Sequence, residues 1–221
     1  MTGPIRRATA KPDDGVLNYA QIGATQSPEI INFPPRGFRA FQQSHRLGSG
    51  QERYDTAVRS LMTWGVHRNS GIPIVDIARE SESSSKYEGV DFDPVGKPVG
   101  PTGSIEQLFG PDGTPYVTAG TTAAQVLSLA SRHIKAPIKV VYTIDEPNRT
   151  GFAYGSRIGH PMQVEQLMVV DLEPDGGVWL TIRSISRAGS AKWRVPLALY
   201  RLRQKKYSRR FVTALHPARQ A

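Results

Sequence analysis

His160 and Glu165 are the residues whose types and spacing could support acid–base chemistry in this chain of 221 residues. Both lie in the segment GFAYGSRIGHPMQVEQ (151–166). A histidine titrates near neutral pH and can accept or release a proton, and a neighbouring carboxylate can complete an acid–base pair. The same residues also suit a structural role, in which His160 bonds local carbonyl groups and Glu165 pairs with a nearby lysine or arginine. We favour the structural role.

Tyr154 is a third candidate, because its hydroxyl could contact a bound molecule, although such a tyrosine more often packs its ring in the core. His160 stands between Gly159 and Pro161. Turn chemistry explains the glycine and the proline but does not require a histidine. We therefore expect His160 at an exposed turn at one end of a sheet, from which it reaches a pocket only if the turn folds inward.

The composition excludes several kinds of site. The chain has no cysteine, which excludes disulfides, thiolate catalysis and cysteine-based metal sites. The other four histidines are His45, His67, His133 and His216, and they do not show the short spacing typical of a metal site. The segment LGSGQE (47–52) lacks the lysine of a phosphate-binding loop. We therefore expect neither a metal nor another cofactor.

The net charge of +9 is concentrated towards the C-terminus. No acidic residue follows Asp175, whereas 11 lysines and arginines do. A basic surface of this kind could attract nucleic acid, anionic lipid or an acidic protein, although a solvated helix face explains it as well. The residues that would contact such an anionic partner are Arg201, Lys205, Lys206, Arg209 and Arg210.

The chain shows no signal for a membrane or for export. No apolar run reaches the roughly 18–20 residues that span a bilayer, and the first residues lack the apolar core of a signal peptide. We therefore expect a cytoplasmic protein without a transmembrane segment, and the sequence leaves its oligomeric state open.

Alternating apolar residues and turn-forming residues predict a run of strands in the second half of the chain. The turns between them are short, which favours antiparallel neighbours because a parallel crossover needs a longer connection. These predicted strands cover residues 123–131, 138–145, 151–156, 162–172 and 178–186. Two earlier strands are predicted, one opening near Gly37 and one over 72–79.

Two helices are predicted as well. The first is predicted to begin after Ser49, because Ser49 and Glu52 have the spacing of a capping box. The second covers about 195–214 and places apolar residues such as Tyr200 and Phe211 on one face. A helix of this kind must bury its apolar stripe, and the sheet is the available partner. The sequence therefore predicts an α+β fold in which a curved antiparallel sheet wraps around a long C-terminal helix.

Composition also divides the chain. Residues 1–16 are polar and contain proline, which is typical of a flexible tail. We expect residues 17–217 to form a single domain. Within it the segment 81–117 is rich in serine, glycine and proline, which predicts an inserted loop with a small hairpin.

Side-chain alternation assigns faces to the last strands. Val178, Leu180 and Ile182 form the most uniformly apolar set, so we expect them to face inward. Arg183 is then expected to face outward. Tyr154 shares its face with Phe152 and Ser156.

Several segments together resemble domain-of-unknown-function family 1990, and they cover most of residues 17–217 in the same order. They are LNYAQIGAT (17–25), HRLGSG (45–50), MTWGVHR (62–68), VVYTIDEPNRTGFAYGSRIGHP (140–161), GGVWLTIRSISR (176–187) and RRFVTALHP (209–217). That family has no established activity. The order of elements is also similar to that of the START-like, or SRPBCC, helix-grip superfamily, and the insertion at 81–117 departs from the family pattern.

Helix-grip proteins mostly hold apolar ligands between the sheet and the C-terminal helix, so the resemblance implies a module that binds a small apolar or amphipathic ligand. The expected ligand contacts are Tyr154, His160, Met168, Leu180 and Tyr200. Some members of the superfamily are enzymes, and the alternative is an enzyme of unknown reaction that uses His160, Glu165 or Tyr154 in the pocket. A further alternative is the binding of nucleic acid or an anionic surface through the basic C-terminal region.

Overall fold

The computed structural model describes residues 16–79, 91–92, 98–99, 113–129 and 132–189. The predicted C-terminal helix at about 195–214, most of the insertion at 81–117 and residues 1–15 of the predicted tail lie outside the described residues. The described part is an α+β arrangement dominated by one antiparallel sheet.

The described ranges contain nine strands. They are β1 (Arg39–Ser49), β2 (Ile74–Ala78), β3 (Asp91–Phe92), β4 (Pro98–Val99), β5 (Thr122–Leu129), β6 (Arg132–Glu146), β7 (Arg149–Ser156), β8 (Met162–Leu172) and β9 (Gly177–Ala188). Seven strands form one sheet in the order β1-β9-β8-β7-β6-β5-β2, and β3 pairs with β4 separately. All pairs are antiparallel.

Strands β5 to β9 follow one another in the sheet, so the predicted antiparallel meander is confirmed. The connections between its strands are short turns, as predicted from their turn-forming residues. Two residues join β6 to β7, and Gly176, with a φ of 79°, closes the turn before β9. The first two strands of the chain occupy the edges, because β1 pairs with β9 and β2 pairs with β5.

Two helices, α1 (Gln51–Met62) and α2 (Gly65–Ser70), follow β1. The predicted capping box is wrong, because Ser49 is still paired with Gly177 in the sheet and caps no helix amide. Gly50 precedes α1 with a φ of 89°, which favours a glycine there. Two short 3₁₀-helices, Ala24–Gln26 and Pro28–Ile31, precede β1.

One face of the sheet, called the inner face here, packs against α1 and α2. Val178, Leu180 and Ile182 are buried on it, so their predicted inward orientation is confirmed. Phe152 and Met168 are buried beside them on β7 and β8. The predicted core of the meander is therefore correct.

The opposite, outer face is covered by the chain segment that precedes β1. Tyr19 and Phe38 pack there against Ile185. Arg183 lies on the outer face as predicted, but only 5% of it is exposed. The carbonyl groups of Thr25 and Gln26 and the side-chain oxygen of Gln42 accept its hydrogen bonds. Both faces of the central strands are therefore buried.

No helix in the described ranges is long and apolar enough to cross a membrane.

Candidate functional site

Four ring-bearing side chains meet on the inner face and form what we call the aromatic cluster: Trp64, His67, Phe152 and Tyr154. The ring centres of Trp64 and Phe152 are 4.9 Å apart in an edge-to-face arrangement. His67 lies 5.2 Å from Trp64 and 5.6 Å from Tyr154, again edge to face. Such geometry is preferred by aromatic pairs. The α1–α2 connection, helix α2 and strand β7 thus bring four rings together in one buried cluster.

The backbone at Trp64 is strained. Its φ is 62°, in the left-handed region that a bulky residue rarely adopts. A residue in that region costs about 1–3 kcal/mol, and such residues are concentrated at functional sites. The strain lets the chain turn from α1 into α2 while the Trp64 ring stays buried in the aromatic cluster.

Gly65 completes that turn. A β-carbon at Gly65 would lie 2.6 Å from the hydroxyl oxygen and 2.7 Å from the carbonyl oxygen of Ser60. A glycine at position 65 is therefore required by the tight α1–α2 connection. The motif MTWGVHR, which marked the family resemblance, is the segment that brings Trp64 and His67 to the inner face.

His67 contributes an uncharged imidazole to the aromatic cluster. It is completely buried, and this burial lowers its pKa to about 3. At neutral pH the ring is therefore neutral, because charging it would require moving a cation into an apolar environment. Sequence reasoning missed this residue because it tested the histidines only for metal spacing.

A row of polar side chains crosses the inner face next to the aromatic cluster. Strand register places Tyr154 of β7, Gln166 of β8 and Ser184 of β9 side by side. Two positions further along the same strands, Met168 and Ile182 continue the inner face as apolar core. The inner face therefore changes from apolar to polar within two residues along each strand.

Glu165 faces the other side of the sheet and is fully buried there. One carboxylate oxygen accepts hydrogen bonds from the Tyr19 hydroxyl at 2.7 Å and the Gly23 amide at 2.8 Å. The other accepts from the Thr25 amide at 2.8 Å and the Thr25 hydroxyl at 2.7 Å. The Tyr142 hydroxyl extends the network to Thr25. We call this arrangement the Glu165 clasp.

Both predictions for Glu165, the acid–base pair in the pocket and the ion pair with a lysine or arginine, are wrong. The carboxylate is on the face opposite the predicted pocket, and it bonds hydroxyl and amide groups instead of a lysine or arginine. Burial and the hydrogen bond to Glu165 raise the pKa of Tyr19, and burial raises that of Tyr142 to about 12. Both phenols are therefore neutral donors at neutral pH. The clasp anchors the segment before β1 to the sheet.

The glycines of GFAYG (151–155) are explained by close approaches on the outer face. A β-carbon at Gly151 would overlap the carbonyl oxygen of Met168 on the adjacent strand. A β-carbon at Gly155 would overlap the hydroxyl of Tyr19 and lie 2.8 Å from its ring. Gly155 thus leaves the space through which Tyr19 reaches Glu165. Of the two glycines, Gly155 is therefore the one that the Glu165 clasp requires.

Gly155→Ala should destabilise the protein by about 1–3 kcal/mol, because the added methyl group displaces the Tyr19 ring. The free energy of unfolding, measured in urea, checks this. In a Tyr19→Ala background the same substitution should cost clearly less, since the obstructing ring is gone. An equal cost in both backgrounds would contradict the close approach as the reason for the glycine.

His160 is not exposed as predicted, because only 6% of it is accessible. Gly159, with a φ of 94°, folds the turn so that the imidazole lies against Met162. Nδ1 of His160 accepts a hydrogen bond from the Met162 amide at 3.0 Å, and Nε2 is buried without a partner among the described residues. Burial lowers the pKa of His160 to about 4.

The predicted acid–base pair is therefore not assembled. His160 bonds the backbone of Met162, whereas Glu165 bonds the segment before β1. Tyr154, Met168 and Leu180 lie on the inner face with the aromatic cluster. Tyr200 and the basic residues from Arg201 to Arg210 lie outside the described residues.

An open groove of about 510 Å³ lies elsewhere, beside the segment before β1, and its described lining contains none of the predicted site residues. Its walls include Leu17, Ile22 and Lys139. Within the ranges that the structure describes, no group of three or more histidines, aspartates or glutamates is placed to hold a metal ion.

Comparison with known proteins gives a family match. The family described as "Domain of unknown function (DUF1990)" matches residues 18–95 and 108–214, which is most of the chain. The unmatched residues 96–107 fall within the segment 81–117. A relative from Deinococcus radiodurans, a UPF0548 protein, is 31% identical over 77 residues, which are 35% of this chain and 39% of the relative. The match thus spans about two fifths of that relative's length.

Solved structures resemble the fold only loosely. Ara h 8.0201 is 11% identical, with a TM-score of 0.47 over 81% of this chain and 95% of that protein. A hypothetical protein from Helicobacter pylori is 11% identical, with a TM-score of 0.49 over 89% of this chain and 96% of that one. At these values the similarity carries no functional conclusion.

Proposed function

Since the chain belongs to the DUF1990 family, a domain of unknown function, we propose its function from its own geometry: it binds a small apolar or amphipathic ligand on the inner face of the sheet. The aromatic cluster forms one wall of the site, and Met168 and Leu180 belong to the apolar core beside it. Ligand sites are mostly apolar, with a few polar groups that orient the ligand.

The strained backbone at Trp64 is the observation that carries this proposal. Residues held in the left-handed region persist only where the surrounding structure fixes them, and they are concentrated at active sites, ligand clamps and switch regions. The neutral His67 beside it supports the same conclusion, because an uncharged imidazole can line an apolar site without the cost of a buried charge.

The opposite wall of the site would be the predicted C-terminal helix, with Tyr200 on its apolar face. This part is a prediction from the apolar stripe of that segment. The enzyme alternative has lost its acid–base pair, because Glu165 belongs to the outer face and His160 bonds the backbone of Met162. We therefore propose binding without catalysis.

Nuclear magnetic resonance of labelled methyl groups in the full chain tests the proposal without any substitution. The probes are naphthalene derivatives and medium-chain alcohols, added to saturation. Inner-face and outer-face methyl groups serve as reporter and matched control. The reporters are Met168, Leu180 and Ile182, and the controls are Leu167, Val169 and Ile185.

Saturable shifts confined to the inner-face methyl groups are the expected result. The outer-face methyl groups should stay unchanged, because the sheet separates the two sets. Shifts restricted to the outer face, or no saturable shift with any probe, would show that the inner face is only a packed core.

A further inference from the structure

Gln166 is a polar residue on the largely apolar inner face of the sheet. It stands on the inner face between Tyr154 and Ser184, next to the apolar core. Its side-chain nitrogen is buried and has no hydrogen-bond partner among the described residues. An unpaired buried donor costs about 1–3 kcal/mol, so proteins rarely retain one without a reason.

We infer that Gln166 recognises an uncharged oxygen acceptor, a ketone, ester or alcohol, on the ligand bound at the inner face. This inference rests on the proposed function and adds the chemical class of the ligand. The amide would donate a hydrogen bond to that oxygen while the apolar part of the ligand lies against the aromatic cluster. Tyr154 and Ser184 are the register neighbours of Gln166 on the adjacent strands.

The described inner-face positions around Gln166 carry no charge, which favours a neutral ligand. Strand register puts nine described residues of β7, β8 and β9 on this part of the inner face, and none of them is charged. They are Thr150, Phe152, Tyr154, Gln166, Met168, Val170, Leu180, Ile182 and Ser184. The charged residues of these strands, such as Glu165 and Arg183, lie on the outer face. Burying a carboxylate without a cation is costly, so an apolar acid should bind more weakly than a ketone of the same shape.

Two probes of nearly identical shape test the inference. 2-Acetylnaphthalene carries a carbonyl oxygen where 2-isopropenylnaphthalene carries a methylene group, and 2-naphthoate supplies a charged acceptor at pH 7.5. Affinities are measured by titration calorimetry with the full chain. The ketone should bind at least about fivefold more tightly than the alkene, as expected for one neutral hydrogen bond. It should also bind more tightly than the acid.

Gln166→Leu is the matching variant, since leucine keeps the volume and removes the donor. It should abolish the preference for the ketone over the alkene, and Gln166→Met should do the same. Both variants should raise the melting temperature of the unliganded protein, because an unpaired buried amide is gone. If Gln166 had a purely structural role, both substitutions would lower the melting temperature instead.

The outcomes separate the inference from the proposed function. Equal binding of ketone and alkene, with shifts at the inner-face methyl groups, would overturn the role of Gln166 and leave the proposed function intact. A preference for the ketone that persists in both variants would also overturn it. Tighter binding of 2-naphthoate would overturn the neutral ligand class. Failure of all three probes to bind would overturn both proposals.

Discussion

Glu165→Ala should lower the free energy of unfolding by about 3–5 kcal/mol, because it leaves the donors of the Glu165 clasp buried without an acceptor. Tyr19, Gly23 and Thr25 together donate four hydrogen bonds to the carboxylate. Hydrogen bonds to a charged group contribute about 1.5–3 kcal/mol each, and their loss in a buried site is only partly additive. Urea unfolding monitored by fluorescence measures the effect.

Glu173→Ala is the matched control, since Glu173 is exposed near the end of the same strand. Its substitution should change stability by less than about 0.5 kcal/mol. Hydrogen exchange adds a local readout: in Glu165→Ala the amides of Gly23 and Thr25 should exchange much faster than in the wild type. Similar stability losses for the two variants would contradict the anchoring role of the clasp.

The meander and its inward-facing residues were predictable because their signals are local. Alternation within β9 and the turn residues around Gly176 belong to stretches of about ten residues, and a period of two fixes which side chains share a face. Val178, Leu180 and Ile182 were assigned correctly for this reason. The capping box failed because Ser49 serves β1, a pairing that depends on a strand far along the chain.

The roles of Glu165 and His160 were not predictable for a related reason. Tyr19 and Glu165 are separated by 146 positions, and no local sequence pattern predicts the hydrogen bond between them. The glycine at position 155 was a signal, but it could be interpreted only when the Tyr19 ring was found against it. The conformation of Trp64 likewise arises from the tight turn between two helices, and tryptophan carries no propensity for it.

Acid should destabilise this protein well above the pH at which carboxylates titrate, mainly because His67 and His160 are buried in the described part of the chain. His67 and His160 have pKa values of about 3 and about 4 in the folded chain because burial disfavours the cation. In the unfolded chain a histidine titrates near 6.5. Between these values the unfolded state binds more protons, so stability is complete above pH 6.5 and falls as the pH decreases.

Each histidine should remove about 3 kcal/mol between pH 6.5 and pH 4, since one unit of pKa difference corresponds to about 1.4 kcal/mol. The loss from His160 should level off near pH 4, and that from His67 should continue towards pH 3. Two losses of this size approach the whole stability of an ordinary domain, which is about 5–15 kcal/mol. Urea unfolding at a series of pH values and constant ionic strength measures the profile.

His67→Phe and His160→Asn separate the two contributions. Phenylalanine keeps an aromatic ring in the cluster, and the asparagine oxygen can accept the Met162 amide hydrogen bond in place of Nδ1. Each variant should show a clearly smaller slope than the wild type between pH 6.5 and pH 4, whatever its stability at pH 7.5. His133→Asn, at an exposed position, should keep the wild-type slope. A slope unchanged in both buried-site variants would mean that neither imidazole is held neutral by burial, and the apolar character proposed for the inner face would lose its support from His67.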